Sequence, residues 1–189
     1  AFVGEVLAAL PPAVVLNTTA FAVSNMGVKH HDTVLDRCGR PVLQTVLAGI
    51  SEEAWLESDR GLSPRDLTMN VVLPEVDGRL LTRAVSFKAQ NADGTVDHRP
   101  RPDRIEFVVQ QVRALIALGR KQPAERRIAI VLSNYPNRYG RIANGVGLDT
   151  PQSAVVLVEA MRSAGYRLEG FPQSTAELMA MLLDGVTNN

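Results

Sequence analysis

Three stretches of this chain gather the side chains that do chemistry. Asn17-Thr18-Thr19-Ala20-Phe21 offers small polar groups able to hydrogen-bond a ligand carboxylate or amide. The same residues suit an Asx- or ST-turn that satisfies its own backbone. Pro74-Glu75-Val76-Asp77-Gly78 sets two carboxylates around one apolar residue. A carboxylate whose pKa is raised in a pocket accepts a proton, and its oxygens also ligate a divalent ion. As an ordinary turn, Asp77-Gly78 is a common hairpin dipeptide. The third stretch, residues 133–151, combines Asn134, Arg138 and Arg141 with Gly145, Gly147, Asp149 and Thr150. Arginines beside a helix N-terminus are the parts of an anion site. As a structural loop, the same stretch uses Asp149 and Thr150 only as caps.

Other motifs are missing. Neither GxxxxGK[ST] nor GxGxxG followed by an acidic ribose partner occurs, so Gly145-x-Gly147 stands alone as a phosphate signal. A nucleotide- or sugar-phosphate-binding module nevertheless stays open as a reading of residues 133–150. His30 and His31 are adjacent, a poor chelating spacing on a helix or a strand, and His98 lies far along the chain. The single cysteine, Cys38, excludes an intrachain disulfide and gives no sign of secretion. Lys plus Arg equals Asp plus Glu at 20 each, which gives no global attraction to nucleic acid or to an anionic membrane. No run of about 18 apolar residues is present to span a bilayer. The opening Ala-Phe-Val-Gly-Glu does not read as a signal peptide and suggests a boundary inside a longer protein.

Alternating strands and helices must position these stretches. Strands are expected at residues 13–16, 42–47, 69–73 and 80–87, from short apolar runs bounded by Pro, Gly and polar residues. Ser51 is the expected N-cap of a short helix over 52–57, and Ser63-Pro64 opens about one further turn. Residues 88–103 read as a loop. An amphipathic helix follows, with Asp103 as N-cap, Glu106 at capping-box spacing and Gly119 at its end. Residues 126–168 read as strand 128–132, a loop, a helix capped by Thr150 and stopped at Gly165, and a short strand 166–168. Ser174 with Glu177 opens a last helix to residue 183. The expectation is one α/β domain, or part of one. It would be an open, largely parallel sheet flanked by helices in Rossmann-like or flavodoxin-like layers, with all three polar stretches at the C-terminal ends of strands, where such sheets bind ligands.

Taken in order, several motifs resemble one family. They are Leu16-Asn17-Thr18-Thr19-Ala20-Phe21, then Pro41-Val42-Leu43-Gln44, then Gly61-Leu62-Ser63-Pro64-Arg65-Asp66-Leu67 with Leu73-Pro74-Glu75-Val76-Asp77-Gly78. Ser133-Asn134-Tyr135-Pro136 and Gly147-Leu148-Asp149-Thr150-Pro151 complete the set. Together they are similar to the large subunit of aerobic cobaltochelatase, whose nearest relative is the magnesium chelatase large subunit. The resemblance implies a fragment of a cytoplasmic subunit that binds hydrogenobyrinic acid a,c-diamide and takes Co²⁺ as substrate. It implies an AAA+ ATPase subunit and an integrin-I-like subunit as partners, with ATP and Mg²⁺ bound there and not on this chain. Glu75 is then expected as proton acceptor and transient Co²⁺ ligand, with Asp77 as helper or turn former. Arg138 and Arg141 are expected on corrin carboxylates, and Asn17, Thr18 and Asn134 on amides. The same resemblance admits insertion of Mg²⁺ into protoporphyrin IX.

Overall fold

The computed structural model describes residues 2–24, 33–132, 143, 145 and 147–184. The chain divides into two units, Ala1–Gly119 and Arg120–Asn189.

The first unit is an α/β layer built on a mixed four-stranded sheet of order β1-β2-β3-β4. Its strands are β1 (Val15–Asn17), β2 (Val42–Ser51), β3 (Leu80–Gln90) and β4 (Val96–Pro100). β1 pairs parallel with β2 and β2 parallel with β3, whereas β3 and β4 pair antiparallel. Val46, Ala48, Ala84 and Phe87 form the buried core, and Ile50, Trp55, Leu62 and Val71 pack around it. Trp55 lies 5.0 Å from Phe87, centroid to centroid, and carries the Arg104 guanidinium on its ring at 4.7 Å. The aromatic pair joins the short helix α2 (Glu52–Leu56) to the sheet. The α1 helix (Phe2–Ala9), which the sequence pattern did not suggest, precedes β1 and buries none of its residues.

Local chemistry sets the helix starts. Ser51 accepts the Ala54 N–H at 3.2 Å, and Ser63 accepts the Asp66 N–H at 3.1 Å, with Pro64 in the first turn of α3 (Pro64–Leu67). From there the chain stays helical. A π-helical turn (Thr68–Val72) follows, and then α4 (Leu73–Val76). The strand expected over residues 69–73 is therefore not formed. Its β-branched run suits a strand, but the Ser63 cap has already nucleated a helix, and Val71 gains its burial from the helical side by packing on the core. Asp77-Gly78 is correspondingly no hairpin turn. Gly78 takes φ 68°, its N–H reaches the Glu75 carbonyl at 2.9 Å, and the Arg79 N–H reaches the Pro74 carbonyl at 3.3 Å. This is a Schellman close of α4. The turn thus leads into the N-terminal end of β3 instead of following a strand.

Residues 88–103 are more ordered than a loop. β3 runs on to Gln90, and the Asn91 N–H bonds the Thr95 carbonyl at 2.8 Å to start the return strand β4. The polar composition that suggested a loop is that of an exposed edge strand, every residue of which faces solvent. The long helix α5 (Pro102–Arg120) starts one residue ahead of Asp103, which sits in its first turn and accepts from Arg101 Nε at 3.1 Å.

In the second unit, α6 (Thr150–Ser163) and α7 (Thr175–Asp184) pack on one another, with Ala154, Val158 and Leu178 buried. Thr175 Oγ1 donates to Gln152 Oε1 at 2.6 Å between them. The cap of α6 is Asp149, which accepts the Gln152 N–H at 3.0 Å, and Thr150 is the first helical residue. Gly165 at φ 84° closes α6 as expected, with the Tyr166 N–H on the Met161 carbonyl at 3.1 Å. Ser174 accepts the Glu177 N–H at 3.2 Å to open α7. Among the described residues neither 128–132 nor 166–168 forms a strand, so the expected βαβ unit is not present. A strand needs a hydrogen-bonded neighbour. Here Ile128 is 52% and Val131 88% exposed.

One glycine fixes how the first unit's helical run meets its sheet. The β2–β3 register is irregular between Leu47 and Ser51, and the Gly49 N–H turns to both oxygens of Asp66 at 3.0 Å. A Cβ on Gly49 would lie 3.0 Å from Asp66 Oδ1. Gly49→Ala is expected to displace Asp66 and deprive that buried carboxylate of its backbone N–H donor, at a cost of about 2 kcal/mol. Amide exchange of the 46–51 segment should then accelerate about thirtyfold. Gly119→Ala, with open space around the new Cβ, should not accelerate it.

Candidate functional site

Two polar assemblies lie in the first unit. In the first, β1 ends at Asn17, whose Nδ2 donates to Gln44 Oε1 at 2.7 Å and to the Thr19 carbonyl at 2.9 Å. Thr19 Oγ1 returns a bond to Asn17 Oδ1 at 2.9 Å, and Gln44 Nε2 adds a second donor to the Thr19 carbonyl at 3.1 Å. A third comes from Arg79 Nη1 at 3.3 Å. Arg79 Nη2 also pairs with Asp77 at 3.1 Å, and both side chains are buried. Asp77 further accepts the backbone N–H groups of Val23 at 2.8 Å and Ser24 at 3.0 Å. Burial pushes the Asp77 carboxyl up. Hydrogen bonds from Val23 and Ser24 and the Arg79 charge together outweigh that effect and hold it below the usual aspartate range.

The second assembly is a cleft of about 460 Å³ beside the C-terminal halves of β2 and β3. Phe21, Arg65, Asp66, Asn70, Lys88 and His98 are among its lining residues. Asp66 is buried, and its oxygens are taken by the Gly49 N–H, by Ser63 Oγ at 2.9 Å and by Asn70 Nδ2 at 3.4 Å. Lys88 and His98 are direct partners in the antiparallel β3–β4 register, so both side chains project from one face. His98 Nδ1 lies 3.2 Å from Ser86 Oγ, which leaves Nε2 free of that contact. Phe21 is held at φ 70°, a strained value for a residue with a Cβ, by its N–H bond to the Met69 carbonyl at 2.9 Å. Its ring is nevertheless 58% exposed.

Glu75 lies on α4, exposed, and its carboxylate makes no hydrogen bond or ion pair among the described residues. Thr18 is likewise exposed without a side-chain partner among them. In the second unit Gly145 sits where a Cβ would meet Thr150 Oγ1 at 2.8 Å, and Gly147 takes φ 74°. Both glycines and Thr150 thus shape the approach to α6. Asn134, Arg138 and Arg141 lie outside the described residues, as do His30 and His31. No group of three or more His, Cys, Asp or Glu side chains suited to a metal occurs among the described residues. No helix of the described residues is long and apolar enough to cross a membrane.

Residues 4–189 match the model described as CobN/Magnesium Chelatase. The chain belongs to this family. Within it, the chain is 48% identical over 183 residues to an aerobic cobaltochelatase subunit CobN from Sinorhizobium sp, covering 94% of this chain and 14% of the relative. A magnesium-chelatase subunit from Rhodobacter capsulatus is 31% identical over 145 residues, covering 69% of this chain and 12% of the relative. The catalytic subunit of cobaltochelatase from Mycobacterium tuberculosis superposes with a TM-score of 0.77 at 31% identity, over 96% of this chain and 16% of that one. The chain therefore spans about one seventh of the length of the CobN relative.

Seen as a member of this family, the chain brings together only some of the residues its sequence singles out. Asn17 and Asp77 belong to one network, joined through the Thr19 carbonyl and Arg79. Glu75 stands two residues from that network with its own carboxylate outside it. Arg79 and Gln44 were not anticipated, and both are buried. Lys88 and His98 were missed because their proximity exists only once residues 88–100 are folded as a hairpin. The readable signal was Asn91-Ala92-Asp93-Gly94, a turn sequence between two alternating runs.

The Asp77–Arg79 pair makes the first unit acid-sensitive in a defined direction. A carboxyl held below its unfolded value of about 3.9 contributes stability above that pH and loses it as pH falls through the folded value. Asp77→Asn is expected to lower stability at pH 7 by about 3 kcal/mol, since Arg79 is left buried without a counter-charge. The gap between variant and parent should narrow at pH 3. Urea midpoints followed by the fluorescence of Trp55, the chain's single tryptophan, would show this, and a gap of equal size at both pH values would contradict it.

Proposed function

We propose that this chain is part of the tetrapyrrole-binding subunit of an ATP-dependent, cytoplasmic cobaltochelatase, which inserts Co²⁺ into hydrogenobyrinic acid a,c-diamide in cobalamin biosynthesis. The observation that carries this reading is the 48% identity over 94% of the chain to a cobaltochelatase subunit, against 31% over 69% for a magnesium-chelatase subunit. An AAA+ ATPase subunit and an integrin-I-like subunit would bind ATP and Mg²⁺ and drive the cycle, making the whole a nitrogen–metal bond-forming ligase.

Metal insertion sets two tasks: Co²⁺ must exchange water for ring nitrogens, and the ring N–H protons must leave. A carboxylate serves both, as a passing oxygen ligand and as a proton acceptor. Glu75 suits this role because it is exposed and unengaged among the described residues. Asp77 suits the helper's role. Its oxygens are filled by Val23, Ser24 and Arg79, so it fixes the turn that carries Glu75. Arg138 and Arg141 would pair with corrin carboxylates. Asn17, Thr18 and Asn134 would meet its amides, Asn17 from a side chain already oriented by Gln44.

Two measurements on the complete subunit test this. Absorbance titrations should shift with hydrogenobyrinic acid a,c-diamide and not with protoporphyrin IX; the opposite pattern would move the reading to magnesium insertion. In the second, the Glu75→Gln subunit is reconstituted with both partners and ATP. It should bind the corrin within about twofold of the parent and lose insertion by about a hundredfold or more. Undiminished insertion would remove Glu75 from the chemistry.

A further inference from the structure

We infer that the cleft between Phe21 and the β3–β4 hairpin is a carboxylate subsite for the macrocycle, with Lys88 and Arg65 binding a peripheral carboxylate and Phe21 lying against the ring edge. The inference rests on the chelatase reading above and adds residues that reading does not use.

The donor set selects the ligand's charge. Lys88 and Arg65 are exposed cations with no hydrogen bond or ion pair among the described residues. Both are donors only. The acid that shares the cleft, Asp66, is buried, bonded to the Gly49 N–H, Ser63 and Asn70, and forms no ion pair with either cation, so two cationic side chains face one carboxylate there and its oxygens are not vacant for a metal. His98 stands opposite Lys88 in register and is oriented through Nδ1 by Ser86, which is itself buried. With Nδ1 accepting from Ser86 Oγ, the N–H of the neutral His98 ring stands at Nε2 and adds a donor. Such a group of donors fits a carboxylate, and the planar guanidinium of Arg65 matches carboxylate geometry.

Phe21 selects the body that carries the charge. A large aromatic ring is kept exposed on the rim of a cationic cleft, on a backbone strained to φ 70° and tied to the Met69 carbonyl. Free inorganic phosphate has no use for that ring. An acid attached to a flat, largely apolar ring system does. At about 460 Å³ the cleft is at the lower end of the ligand-cavity range, with room for a substituent and a ring edge but not for a whole macrocycle. Its position beside the C-terminal halves of two parallel strands is the one where open α/β sheets bind ligands.

The test compares two probes on the complete subunit: hydrogenobyrinic acid a,c-diamide with its carboxylates free, and the same compound with those carboxylates converted to methyl esters. Parent protein should bind the free acid at least about tenfold more tightly than the ester, the scale of one charge-assisted contact. Lys88→Met should weaken the free acid about tenfold and leave the ester unchanged, and Lys88→Arg should restore most of the loss. Phe21→Ala should weaken both probes alike. If parent protein binds the acid but Lys88→Met and a Lys88→Met, Arg65→Met double variant bind both probes as the parent does, the subsite is overturned and the chelatase reading stands. If the parent binds neither probe, the chelatase reading falls and the subsite with it.

Discussion

The buried guanidinium of Arg79 holds the first unit's polar face in one arrangement. It stands one residue ahead of β3, pairs with Asp77 two residues earlier, and reaches across to the Thr19 carbonyl. Three chain segments that are far apart in sequence are thereby tied at one point: the exit of β1, the end of α4 and the entry of β3. A charge this deep is tolerable only because an opposite charge and a backbone carbonyl meet it, and the Asp77 carboxylate is in turn completed by two backbone N–H groups. The Schellman close at Gly78 is what brings Asp77 and Arg79 within reach of one another. The same closure leaves Glu75 outside, on the exposed side of α4.

Much of the framework of each unit is legible in the residues themselves. Ser51, Ser63-Pro64, Ser174 and Gly165 are local signals, and each acts within four residues of its own position, so no knowledge of the tertiary fold is needed to read them. The misreadings have the opposite character. Residues 69–73 have a strand's composition, and only the helix already begun at Ser63 and the core position of Val71 decide against it. Residues 96–100 form a strand solely because β3 lies alongside. Residues 128–132 have the local features of a strand and find no strand neighbour among the described residues.

The candidate site divides along the same line. Asn17, Glu75 and Asp77 could be singled out from residue type and neighbours in sequence. Their mutual relation could not, because it runs through Arg79 and Gln44, residues whose importance comes from burial. The cleft is less legible still. Lys88 and His98 are ten positions apart and meet by strand register, while Phe21 and Arg65 reach it from other elements. Family resemblance supplied the general assignment, and its motifs contain Phe21, Arg65 and Asp66, but nothing in them tells that these residues meet Lys88 and His98 at one cleft.

The π-helical turn at Thr68–Val72 bears on how this segment tolerates change in length. Such a turn holds one residue more than an α-helical turn and amounts to a one-residue insertion absorbed without breaking the helix. Removing a single residue there would restore ordinary α geometry, so the helix itself would survive. Everything after it would rotate by about 100°. Pro74 would leave its buried seat, and the Gly78 closure would aim Arg79 away from the Thr19 carbonyl. The extra residue thus acts as a phase adjuster between Ser63 and Gly78, and the interval between those two positions is not free to drift in length.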